Sequence, residues 1–283
     1  MRIALITDIH SNLPALCAAL SAIQRHAPDR ILSLGDQINL GPCPRETLAL
    51  LREHGVTCLH GNHEGYVLAA MAGDEAYAGA NFESLRFNAA LVTKEEITFD
   101  RELRIEGVTF CHSMTGDDRF PVNLPGKALP RLRALRPERP LHVVCGHGHN
   151  PTYYRLPNLT VESIGSAGCM DDGAPGMTNF AILEIEDGAT ALRPYTVAYD
   201  TRPLRGLFKR SGMAERCPIM ARLICLQMER NHDFLLEFLA TALPLSAERG
   251  EERVSLETWR LADARFGWPD GKTTEIFWKE AGR

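Results

Sequence analysis

The spacing of the hydrophobic positions changes twice along the chain. Over the first 150 residues, short aliphatic runs alternate with stretches of helical period. Residues 3–7, 31–34, 56–59 and 141–145 read as strands, and residues 14–26 and 45–53 as helices, the first with Pro14 near its first turn. Residues 64–98 read as helical with breaks, and residues 124–135 as a loop followed by a helix. Residues 103–105 and 108–111 flank Glu106-Gly107, a hairpin signal. The pattern then becomes a run of strands at 152–156, 159–164, 180–185 and 191–197, joined by short turns. Alternating β and α followed by a β-meander predicts an α/β fold, a mixed sheet packed by helices.

Beyond residue 200 the period becomes helical again. Residues 218–243 carry a wide apolar face, from Ile219 and Met220 through Phe238 and Leu239, which predicts one long helix or two short ones. Residues 255–266 form another candidate helix, and the tail is aromatic, with Trp259, Phe266, Trp268, Phe277 and Trp278. The expected division is a main domain over residues 1–200 and a helical extension over residues 201–283. The extension is expected to pack on the main domain, and its apolar face also offers a surface for a homo-oligomer.

Composition narrows the function classes. A net charge of −5 gives no general attraction to nucleic-acid backbones or anionic membranes. Such a chain can still bind phosphate if metal ions supply local positive charge. No apolar run approaches the roughly 20 residues of a membrane span. No signal peptide is evident either, because the first strand leads directly to a chemically important residue, Asp8. Eight cysteines are scattered without a CxxC pair, the pattern of reduced thiols in a cytoplasmic protein.

The candidate chemistry lies where the strands end. The first strand ends at Asp8-Ile9-His10, the second at Gly35-Asp36, and the third runs into Gly61-Asn62-His63-Glu64. The strand at 108–111 is followed by His112, and the strand at 141–145 by Gly146-His147-Gly148-His149. One aspartate or histidine after a strand is commonly a cap or a surface residue. Five such ends in order carry more weight, because open α/β sheets bind ligands at the carboxyl ends of their strands. The glycines before Asp36, Asn62 and His147 allow a close backbone approach there.

The order D-x-H, G-D, G-N-H-E, H, G-H-x-H resembles the calcineurin-like metallophosphoesterase superfamily, and in particular its small bacterial and archaeal members. The loop from Gly35 to Pro44 is similar to the GDxxxxGPxP loop of one such group, and residues 163–168 resemble the Ser/Asn-x-Gly-Ser turn found there. The likeness covers roughly residues 1–200. It implies a four-layer α/β/β/α sandwich of mixed sheets and a site for two metal ions. Asp8, His10, Asp36 and His149 would hold one ion, and Asp36, Asn62, His112 and His147 the other, with Asp36 bridging. Imidazole, carboxylate and amide oxygen together suit manganese first, with iron or zinc as alternatives. Such a pair of ions activates a bridging water for attack on a phosphate ester. His63 would then assist the leaving group.

Two departures qualify the likeness. In protein serine/threonine phosphatases the second motif reads GDxxDRG, whereas Asn39 and Leu40 stand at its Asp and Arg positions here. The missing arginine removes a phosphate clamp and argues against a protein phosphatase. The missing aspartate leaves His63 to be oriented by Glu64 or by a backbone carbonyl. Asn39, Cys43, Arg119 and Asn123 are candidates to line a substrate pocket. The expected activity is hydrolysis of small phosphomonoesters or phosphodiesters, nucleotides among them. The rival of a different class is a non-catalytic scaffold of the same fold, disfavoured because His63 and every candidate ligand are present.

Overall fold

The structure is a computed structural model that describes residues 1–114, 120 and 122–281. Arg119, a candidate pocket residue, lies outside the described residues. In chain order the main elements are β1 (Arg2–Ile6), α1 (Leu13–Gln24), β2 (Arg30–Ser33), α2 (Pro44–Glu53), β3 (Thr57–Cys58), α3 (Asn62–Met71) and α4 (Glu83–Ala89). These are followed by β4 (Glu102–Ile105), β5 (Val108–Cys111), α5 (Pro125–Leu135), β6 (Leu141–Cys145), β7 (Thr152–Leu156), β8 (Leu159–Ser163), β9 (Met177–Glu186) and β10 (Ala189–Ala198).

The strands form two five-stranded mixed sheets rather than one, in the orders β10-β9-β1-β2-β3 and β4-β5-β6-β8-β7. β1 explains the stacking. Its Ile3 and Leu5 point to one face and Ala4 and Ile6 to the other, and all four are fully buried. Ile3 and Leu5 join Leu32, Val108, Phe110 and Val144 in the core between the sheets. Ala4 and Ile6 meet Leu16, Ala19, Leu20 and Ile23 of α1 on the outer face. The second sheet is covered in the same way, with Val143, Cys145 and Val161 packed against Ala128 and Leu132 of α5. The result is the four-layer α/β/β/α sandwich. Each fully buried aliphatic side chain of these layers contributes about 1.5–3 kcal/mol.

The C-terminal region is helical: α6 (Leu204–Arg210), α7 (Met213–Arg216), α8 (Pro218–Arg230), α9 (Phe234–Glu248), α10 (Leu256–Arg265) and α11 (Thr274–Glu280). The 218–243 run is two helices, because Asn231 takes a left-handed conformation (φ 50°) and ends α8. Every residue of α8 from Ile219 to Met228 is buried, as expected of a helix surrounded by others. That burial includes Arg222, which pairs with Asp270 at 2.6 Å and lies 3.7 Å above the Trp268 ring. The helical core reaches the sandwich through Leu40, Ala80, Phe87 and Cys169. No helix among the described residues is long and apolar enough to cross a membrane.

Candidate metal centre

Parallel pairing of β1, β2 and β3, and of β5 and β6, aligns their carboxyl ends. The turns that follow carry Asp8 and His10, Asp36, Asn62 and His63, His112, and His147 and His149. One sheet therefore supplies the acids, His10, Asn62 and His63, and the other supplies His112, His147 and His149. Five of these residues, Asp8, His10, Asp36, His147 and His149, have φ between 50° and 66°. Such values are uncommon away from glycine. Strain of this kind persists only where the surroundings over-determine it, and here it collects on one edge of the fold.

The backbones approach too closely for side chains between them. A Cβ at Gly61 would lie 2.1 Å from Asp36 Oδ1, and one at Gly146 would lie 2.0 Å from Thr7 Oγ1. Both glycines immediately precede candidate ligands, so the close approach is a condition of bringing the turns together.

Asp8 and Asp36 are the centre of the charge arrangement. The Thr7 hydroxyl (2.7 Å) and the His147 N–H (3.0 Å) donate to Asp8 Oδ2. Asp8 Oδ1 is buried and accepts no hydrogen bond, and it faces His149 Nε2 at 3.4 Å. Asp36 Oδ1 accepts the His63 N–H at 2.8 Å, and Asp36 Oδ2 lies 3.2 Å from His112 Nε2. His112 donates Nδ1–H to the Leu34 carbonyl at 2.9 Å, which aims Nε2 at Asp36 Oδ2 and at Asn62 Oδ1, 2.9 Å away. His10 Nε2 is 4.0 Å from both carboxylates and 3.2 Å from His149 Nε2.

These donors form three overlapping groups: Asp8, His10 and His149; His10, Asp36 and His63; and Asp36, His112 and His147. Within each group the ligand atoms lie within 4.8 Å of one another. The electrostatics match a cation site. Burial pushes both carboxyls up, but the surrounding histidines together outweigh it, His112 and His149 for Asp8 and His112, His63 and His10 for Asp36, and hold both well below the usual carboxylate range. Burial opposes charge on His112 as well, yet Asp36 and Asp8 bring its pKa up to about 9. His149 is likewise opposed by burial and raised well above its ordinary value, first by its hydrogen bond to Asp171 and then by the nearby Asp8 carboxylate. Burial and neighbouring His63 take His10 down to about 3, so its imidazole is neutral. Two ionised carboxylates buried together need positive charge, which His112 and His149 supply here and which a bound cation would supply in place of their protons. The buried, unbonded Asp8 Oδ1 offers it an acceptor.

Asn39 solves the orientation of His63. Its side-chain amide donates to His63 Nδ1 at 2.7 Å. Glu64, expected as one possible partner of His63, is used elsewhere. Its carboxylate accepts from the N–H groups of Asp36, Gln37 and Gly61, each at 2.9 Å. Cys43 is buried at the start of α2, and burial and Glu46 push its thiol up to about 12. Asn123 borders the ligand loop, with its Cβ 3.3 Å from the position a Cβ on Gly148 would take.

Two residues at the site carried no signal in the sequence. Asp171 lies 2.7 Å from His149 Nδ1 although it is 22 residues away in the chain. Asn88 on α4 accepts from Asn39 N–H (3.2 Å) and donates to the Gly41 carbonyl (3.2 Å), fixing the loop that carries Asn39. Both act through long-range contacts from loop or helix positions that have no distinguishing local pattern.

An α/β/β/α sandwich with a histidine–aspartate cluster across the carboxyl ends of both sheets defines a candidate metallohydrolase. The chain belongs to the calcineurin-like phosphoesterase family, whose pattern it matches over residues 1–177. It is similar in structure to a metallophosphoesterase from Sphaerobacter thermophilus, with a TM-score of 0.59 and 23% identity over 77% of this chain and 97% of that one. A hypothetical protein from Pyrococcus horikoshii aligns with a TM-score of 0.63 and 15% identity, over 82% of this chain and 99% of the other. At these identities the likeness concerns the fold. A curated relative, an uncharacterized protein of Methanocaldococcus jannaschii, is 42% identical over 66 residues, 23% of this chain and 27% of that protein. The matched segment thus spans about a quarter of that relative's length.

Proposed function

We propose that the protein is a dinuclear metal-dependent hydrolase of small phosphomonoesters or phosphodiesters, with nucleotides as a candidate class. The observation that carries this reading is the overlap of the three donor groups on Asp36 and His10. Asp8, His10, Asp36 and His149 would hold one ion, and Asp36, Asn62, His112 and His147 the other. Manganese is the first choice for this donor set, with iron or zinc next. When bound, the ions supply Lewis acidity to the phosphoryl oxygens and acidify a water nucleophile.

The chain's own residues do the rest. Asp8 and Asp36 keep the centre anionic and selective for cations. The Leu34 carbonyl fixes the His112 tautomer so that Nε2 is free to ligate. Asn39 donates to His63 Nδ1 and thereby leaves the proton of a neutral imidazole on Nε2, the nitrogen that lies 3.9 Å from Asp36 Oδ2. From there His63 donates a hydrogen bond to the leaving oxygen and stabilises its developing charge. Leu40, buried where protein phosphatases carry an arginine, supports a small-molecule ester over a phosphoprotein.

The test is turnover of p-nitrophenyl mono- and diesters, alkyl phosphates, nucleotides and phosphopeptides by metal-stripped protein given Mn²⁺. His63→Ala should keep both ions and lower kcat on alkyl esters by about 10²–10⁴-fold. The loss should be smaller for p-nitrophenyl esters, whose leaving group needs little help. Asp36→Asn should lose metal and activity together. Loss of metal from His63→Ala equal to that from Asp36→Asn would make His63 a ligand. A wild-type chain that hydrolyses nothing in the panel would favour a scaffold.

A further inference from the structure

The helical region meets the candidate metal centre at the loop after β8 as well as beside Leu40 and Gly41. Asp171 stands in the connection between β8 and β9. Its Oδ1 lies 2.7 Å from His149 Nδ1, and the opposite nitrogen of that ring, Nε2, faces Asp8 and His10. An imidazole that gives its Nδ1–H to a carboxylate has a fixed tautomer, a fixed ring plane and a more basic Nε2. The far side of the same connection is tied to the joint between α8 and α9. Asp233 N–H donates to the Asp171 carbonyl at 3.1 Å, and Asp172 forms a backbone bridge with His232. The Asn231 side chain donates to the carbonyls of Ala174 (2.7 Å) and Met177 (2.9 Å). Thus the residues that break the apolar run into two helices are those that grip the loop holding a candidate ligand.

Resting on the two-ion reading above, we propose that Asp171 is a positioning residue for the metal centre, and that the α8–α9 joint holds it in place. The helical region is then part of the machinery of ion binding. Asp171 serves the ion held by Asp8, His10 and His149 and leaves the one held by Asn62, His112 and His147 untouched.

The experiment is calorimetric titration of the metal-stripped full-length chain with Mn²⁺, alongside its metal-free melting temperature. Asp171→Ala should weaken one of two ions by about 10- to 100-fold, the usual range for losing a ligand's orienting partner. The other ion and the metal-free melting temperature should hardly change. Asp171→Asn should recover part of the loss, since its amide oxygen still accepts from Nδ1–H. Asn231→Gly keeps the left-handed backbone but loses both donors. It should weaken the same ion by less, and should add nothing in the Asp171→Ala background. Wild-type affinities for both ions in Asp171→Ala would overturn the positioning role. An unchanged or fully additive Asn231→Gly would overturn the role of the joint. A wild-type chain that takes up no Mn²⁺ would overturn the two-ion reading, and this inference with it.

Discussion

The carboxylate of Glu64 is fully buried and gathers the backbone N–H groups of Asp36, Gln37, Ile38 and Gly61. It ties the turn after β2 to the start of α3, and so sets Asp36 against Asn62. Burial and the nearby Asp36 push its pKa up to about 7, while the N–H donors of Gly61 and Asp36 pull against them. Glu64→Gln replaces one accepting oxygen with an amide that faces N–H groups. Two buried donors lose their acceptor, at about 1–3 kcal/mol each. Urea unfolding of the metal-free protein should show a loss of about 2–6 kcal/mol. A loss below ~0.5 kcal/mol, the range of an ordinary surface change, would contradict this account of the turn. The candidate ligands themselves were readable in the sequence, because each follows a strand and a glycine or a short motif. The supports were not. Glu64 adjoins His63 in the chain but bonds the backbone, and Asp171 meets His149 only through the return of the chain after β8.

At the scale of elements, local pattern located the strands but not their partners. Each strand was legible as a short apolar run. β9, however, inserts antiparallel beside β1 from 180 residues further along, and that pairing divides the strands between two sheets. Periodicity reports which faces are apolar and carries nothing about which strand covers them. The helices at 204–210, 213–216 and 274–280 are too short to establish a period, and the sequence marked only the last of them, by the aromatic Phe277 and Trp278. We propose a division near residue 200, with the helical part as an extension that does not stand apart. Its core contains Leu40, Phe87 and Cys169 of the sandwich, and Met228 lies beside Gly41, with its Cε 2.8 Å from where a Cβ would be. Removing residues from 205 onward should expose these side chains, cause aggregation in light scattering and weaken Mn²⁺ uptake. A truncated chain that stays monodisperse and binds Mn²⁺ like the full-length chain would show that the extension is dispensable.

For the whole molecule, the balance of charge explains why ions are central. A net charge of −5 repels phosphate at a distance, so a phosphate ester is drawn in only by a local cation. The fold concentrates Asp8 and Asp36, both fully buried, at one edge where two sheets meet, and surrounds them with four imidazoles besides that of His63. The eight cysteines take no part: all are free, and Cys17 alone among them is exposed. The central claim is that this edge is built for two ions sharing Asp36. Anomalous scattering from crystals of Mn²⁺-loaded protein tests it directly. The account predicts two peaks per chain, roughly 3.5–4 Å apart, with Asp36 in contact with both. A single peak held by Asp8, His10 and His149, with His112 and His147 turned away, would contradict it.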